Sequence, residues 1–158
     1  MKTYNQIKER LVNIKNVHKQ IESVFVGVPS QDLLQDSSEP LKYPAMLCQP
    51  LQIDTILNDG SSGSIVFNFD IGFMDLPLAD RSNEDEIRSD QLSIALDVVE
   101  MIRQPNFFGM DSGIFLDNNS NPSINFVTMK EIDNLTGAVI SLRIKTELNN
   151  NRCEVPTN

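Results

Sequence analysis

The segment from Ile65 to Met74 constrains this chain more than any other. Ile65, Phe67, Phe69, Ile71 and Phe73 alternate with Val66, Asn68, Asp70, Gly72 and Met74. A period of two sustained over this length reads as a β-strand with one buried face and one mixed face. Such a row of large apolar side chains needs a covering layer, and 158 residues provide one domain in which to build it. Just before the strand, Asn58-Asp59-Gly60-Ser61-Ser62-Gly63 is turn chemistry. Upstream of the turn, residues 45–57 are rich in apolar side chains (Ala45, Met46, Leu47, Leu51, Ile53, Ile56, Leu57). The sequence therefore predicts a strand over at least 45–53, paired as an antiparallel hairpin with the alternating one. Pro50 marks an edge position or a bend in it.

Two stretches supply the covering layer. Tyr4, Ile7, Leu11, Ile14, His18, Ile21 and Phe25 recur at spacings of three and four, which predicts an amphipathic helix over 1–25. Gly27 and Pro29 stop it. A second helix is predicted from Ser82, which has capping-box spacing to Asp85, with Glu84, Asp85 and Glu86 in the first turn. Ile87, Gln91, Ile94, Ala95, Val98, Met101 and Ile102 form its apolar stripe, and Pro105 ends it.

A loop is expected over 106–122, then a third strand at 123–131, a turn at Asp133-Asn134-Leu135-Thr136-Gly137 and a fourth strand at 138–147. The expected fold is α+β: an antiparallel sheet of about four strands with two helices packed on it, in the order α-β-β-α-β-β. Residues 1–147 make the single domain, and 148–158, Asn-rich and carrying Pro156, form a C-terminal tail or arm.

Charge narrows the function. The formal net charge is −9, which argues against nucleic acid as the main partner, because phosphate contacts need clustered Lys and Arg. Residues 1–20 go against the trend, with Lys2, Lys8, Arg10, Lys15 and Lys19 against Glu9 alone. Lys8, Arg10, Lys15 and Lys19 form either a solvated outer face or a strip that meets an acidic neighbour, such as another copy of the protein. No run of apolar residues is long enough to span a membrane, and the polar N-terminus predicts no secretory leader. Cys48 and Cys153 are too few for a disulfide framework or a four-cysteine zinc site, which fits a reducing compartment.

Catalytic chemistry is not expected. His18, the single histidine, lies in the helical stripe and lacks partners for a relay or metal site. Asp70, Asp75, Asp80, Glu84, Asp85 and Glu86 form an acidic region of the kind metal-dependent hydrolases use, but turn and helix N-terminal chemistry accounts for most of it. No phosphate-binding glycine loop, CxxC pair or nucleophile elbow is present. No catalytic, cofactor or metal residue is therefore expected. Phe107-Phe108 is either a core plug or an anchor for a partner.

The order of elements resembles a known family. A long first helix, a Pro-flanked strand (Tyr43-Pro44-Ala45-Met46-Leu47), a long alternating strand (Ser64 to Leu76), a capped helix (Asn83 to Arg103) and a final hairpin (Ser123 to Glu147) are similar to the tail-terminator, or tail-completion, proteins of tailed bacteriophages. The Asn-rich late region on an acidic body also resembles neck and tail proteins of Bacteroides phages, including the crAss-like group. The resemblance implies a structural virion protein, assembled in the host cytoplasm. It implies a homo-oligomeric ring between head and tail, with other neck, portal or tail proteins as partners. Lys8, Arg10, Lys15, Lys19, Phe107 and Phe108 are the candidate subunit contacts. A cellular adaptor module is the alternative reading, and a small metal-dependent hydrolase a third.

Overall fold

The computed structural model describes residues 2–27, 41–59, 62–109, 113–117, 122–129 and 134–148. The elements are α1 (Lys2–Val17), β1 (Ser23–Val26), β2 (Ala45–Cys48), β3 (Gln52–Asp59), β4 (Ser62–Asp75), α2 (Glu84–Arg103), β5 (Ile114–Leu116), β6 (Ser123–Met129) and β7 (Leu135–Leu148). The protein is α+β, as its hydrophobic patterning demands, but its sheet is mixed and seven-stranded. The expected antiparallel sheet of about four strands in the order α-β-β-α-β-β is thereby corrected to α-β-β-β-β-α-β-β-β.

A central ribbon organises everything else. β4 and β7 have 14 residues each and pair antiparallel from Gly63 opposite Leu148 to Asp75 opposite Thr136. Each then takes two different short strands on its outer edge. β4 pairs with β3 along its first half and with β2 along Ile71–Met74. β7 pairs with β6 along Leu135–Ser141 and with β5 at Ile144–Thr146. β1 lies outside β2 and runs parallel to it.

Three features account for the difference from expectation. Helix α1 stops at Val17, while Ile21 remains 4% exposed, so the apolar spacing continues past the last helical turn. The run Val24-Phe25-Val26 favours extended backbone, and it gains a ladder with Met46-Leu47-Cys48. The strand expected over 45–53 is split at Gln49-Pro50-Leu51. Proline has no N–H for the ladder, and Gln49 N–H donates to the Asp70 carbonyl at 2.9 Å just before the break. Finally, the stretch read as a loop over 106–122 contains β5, whose Ile114 and Leu116 are buried and whose Phe115 is exposed.

The start of α2 also differs. Asn83, not Ser82, precedes the first helical residue and makes no side-chain cap. Its Oδ1 instead accepts from Leu78 N–H at 2.8 Å, while Ser82 donates its N–H and hydroxyl to Asp80 Oδ1. The tail at 149–158 lies outside the described residues.

One face of the sheet carries both helices. Ile7, Leu11 and Ile14 of α1 and Ile94, Ala95, Val98 and Ile102 of α2 pack on Ile65, Phe67, Phe69, Ile71 and Phe73 of β4. Ile140, Leu142 and Ile144 extend the same layer from β7. Each fully buried side chain of this size contributes roughly 1.5–3 kcal/mol of transfer free energy. On the opposite face, Ala45, Leu47, Met74 and Leu135 make a second, smaller cluster at one end of the ribbon. Midway along that face the side chains become polar.

Candidate functional site

The polar patch sits where the flanking strands are interrupted. A cavity of about 360 Å³ is lined by Gln49, Gln52, Asn68, Asp70, Ser141 and Arg143. Strand register brings these side chains together, since Gln52, Asn68 and Arg143 are cross-strand partners, as are Asp70 and Ser141. The register of β3 shifts between Ile53 and Thr55, which puts Asp54 in a bulge. Asp54 then accepts from Asn68 Nδ2 at 3.1 Å and from Arg143 Nη2 at 2.6 Å. Asp117, just past β5, holds its carboxylate 3.8 Å from Arg143 Nε. Ser141 Oγ donates to Asp70 Oδ1 at 2.5 Å.

The acidic residues singled out in the sequence do not converge there. Asp70 lines the cavity, but Asp75 ends β4 and Asp80 lies within the turn before α2. Glu84 pairs with Arg81, and Asp85 with Arg88. Among the described residues no group of three or more His, Cys, Asp or Glu side chains is placed to hold a metal ion. Partial burial, with the nearby charge of Asp90, raises the Asp75 carboxyl above its ordinary range, against the Leu76 N–H bond that lowers it. The Ser82 N–H and hydroxyl hold Asp80 below that range. His18 Nε2 is 3.6 Å from Asp97 Oδ2, and its buried Nδ1 has no hydrogen-bond partner among the described residues. Cys48 is fully buried, and desolvation pushes its thiol up to about 12.

The sequence-derived contact residues fall into two groups. Lys8, Arg10, Lys15 and Lys19 are all exposed, and none forms an ion pair among the described residues. Phe108 is 5% exposed and belongs to the core. Phe107 is half-buried and packs edge-on against it, with ring centroids 4.8 Å apart. Phe107 and Arg10 come together in a second groove, also about 360 Å³, where α1 meets the end of α2.

Exposed apolar side chains complete the surface. Ile53 and Ile56 on β3 and Phe126 on β6 stand at the flanks of the sheet. Leu76 and Leu78 project from the β4–α2 turn. Sequence reasoning missed these as contact candidates. The signal for the last pair was legible as two leucines around Pro77 inside an otherwise acidic, turn-forming stretch. No known protein-family model matches the chain, and no curated protein shows significant similarity to it.

Proposed function

We propose that this chain is a structural subunit of a ring in the neck or tail of a tailed phage, in the manner of tail-terminator proteins, and that it has no catalytic role. The observation that carries the reading is the pair of uncovered apolar flanks on the helix-bearing side of the sheet. Ile53 and Ile56 are in register with Phe67 and Ile65, so they face the helices, yet they are 61% and 62% exposed. Phe126 is in register with Ala138, and through it with Phe73, and is 54% exposed beyond the other side of the ribbon. Apolar flanks of this kind are a liability in a monomer and a resource in an assembly. Two unlike patches fit a head-to-tail contact, which closes into a ring when the rotation between subunits divides a full turn.

The resemblance supplies the place of the ring. Its Pro-flanked strand is β2, its alternating strand β4, its capped helix α2 and its final hairpin β6–β7. Its partners on this reading are identical subunits and the portal, neck or tail proteins above and below. It assembles in the host cytoplasm and resides in the virion. The net charge of −9 fits protein neighbours better than DNA. Sedimentation velocity with native mass spectrometry tests the reading. A discrete high-order oligomer, and peptides of this chain in purified particles, support it. A lasting monomer at high concentration, absent from particles, overturns it.

A further inference from the structure

The groove between the helix ends and the β4–α2 turn are chemical opposites. Ile14, Val17, Met101 and Phe107 give the groove an apolar lining, with Arg10 and Gln104 beside them. Val17 is 63% exposed, so the groove is open to a partner. Arg10, the cation at the groove, makes no ion pair among the described residues.

On the turn, Leu76 and Leu78 bracket Pro77 and are 43% and 57% exposed. Asp75 and Asp80 flank them, and among the described residues neither is in an ion pair. The tip is held in shape. Leu76 N–H donates to Asp75 Oδ1 and Leu78 N–H to Asn83 Oδ1, both at 2.8 Å. A preformed apolar tip with anionic shoulders loses little freedom on docking into an apolar groove with a cationic side.

The two surfaces cannot meet within one subunit. The Leu78–Asn83 bond fixes the turn to the start of α2, while Met101 and Gln104 place the groove at its end. A helix of 20 residues separates them by about 30 Å. We infer that the Leu76-Pro77-Leu78 turn of one subunit seats in the α1–α2 groove of the next copy of this chain. Because groove and tip differ, each subunit uses both, and the contact propagates from copy to copy. The inference rests on the ring reading and names a contact through which the ring is joined.

Cysteine cross-linking tests it directly. In a Cys153→Ser background, where Cys48 is buried, Val17→Cys and Leu78→Cys are combined in one chain. Mild oxidation should give a covalent ladder of dimers, trimers and larger species, while each single variant gives none beyond a dimer. Charge exchange is the second arm. Arg10→Glu and Asp80→Lys should each weaken self-association about tenfold, and the double variant should recover most of the loss. Thermal unfolding monitors that the variants remain folded, since all four positions are exposed. Oligomers of unchanged size without a ladder, and without recovery in the double variant, overturn this contact and leave the ring standing. A monomer in every variant and in the parent chain overturns the ring reading, and this contact with it.

Discussion

Arg143 Nη2 donates to Asp54 Oδ2 at 2.6 Å, joining residues 89 positions apart across three strands. The bond depends on the β3 bulge, which aims Asp54 at the polar face. Arg143 also stands 3.8 Å from Asp117, so one guanidinium ties β3, β7 and the end of β5. Both partners of the main pair are about a third exposed, with side-chain values of 36% and 32%. Solvent therefore screens that pair, but the Asp117 side chain is only 9% exposed, so Arg143→Met, which keeps the apolar stem, should cost about 1–3 kcal/mol globally. The local effect should be larger. Amide exchange in β3 should accelerate in the variant while that of β4 stays near wild type. Equal acceleration in both strands would mean that Arg143 supports the whole sheet and not its flank.

Gly137 is fixed by its neighbour across the ribbon. A Cβ there would stand 1.9 Å from the Phe73 carbonyl oxygen and 3.1 Å from Met74 Cα. Both are backbone atoms, which cannot move without disturbing the β4–β7 ladder. Gly137→Ala should therefore destabilise the protein by roughly 3 kcal/mol or more. Gly72→Ala is the control, because its closest neighbour is Met74 Cε at 2.9 Å, the free end of a flexible chain. That variant should lose only about 1 kcal/mol. Urea denaturation of the two variants side by side checks the difference.

The parts legible from sequence were those whose pattern is local. Ile65 to Phe73 and Ile87 to Ile102 repeat at periods that only a strand and a helix satisfy, and both elements form. The final hairpin was legible from the alternation after residue 137, but Leu135-Thr136-Gly137, read as turn, already belong to β7, where they pair with Val127-Thr128-Met129. What escaped depends on distant partners. Ser23–Val26 is extended because β2 lies beside it, and β5 has only three residues, too short for any period to emerge. The Asp54–Arg143 pair needs the bulge and the β3–β4–β7 register at once, and neither residue's flanks announce it. Phe107 and Phe108 look alike in sequence, and only packing separates the buried ring from the half-buried one.

Cys48 links burial to pH. Its thiol ionises near 9.0 in an ordinary setting and is pushed up to about 12 in the folded protein. The folded value lies above the unfolded one. The stabilising contribution is thus complete below about pH 9 and declines as pH rises toward 12, because the unfolded chain sheds the proton first. In a Cys153→Ser background, a thiol reagent near pH 8 should leave the native protein unlabelled and react on adding denaturant. Fast labelling of the native state would show that β2 opens locally.

The four N-terminal cations, three on α1 and Lys19 just past its end, distinguish an assembling surface from a solvated one. Lys8, Arg10, Lys15 and Lys19 are exposed and make no ion pair among the described residues, so they contribute little to the monomer. Changing all four to Glu should shift unfolding free energy by only about 1 kcal/mol, part of it from Lys15 in the last helical turn, where a cation suits the dipole. If the proposed ring forms, the same change should dissociate it. Four reversals of two units each take the formal charge from −9 to −17, so general repulsion is a competing cause. Neutralising the four to Gln separates the two. A strip that pairs with an acidic neighbour still loses its partner, whereas general repulsion rises only half as far. The deficit of the Gln variant should be greatest in dilute salt, where screening lengths reach about 30 Å. It should shrink toward about 1 M salt, where they fall to about 3 Å and the wild-type ring weakens as well. Sedimentation across a salt series reads both limits, and an unchanged ring for the Gln variant in dilute salt would make the strip a solvated face.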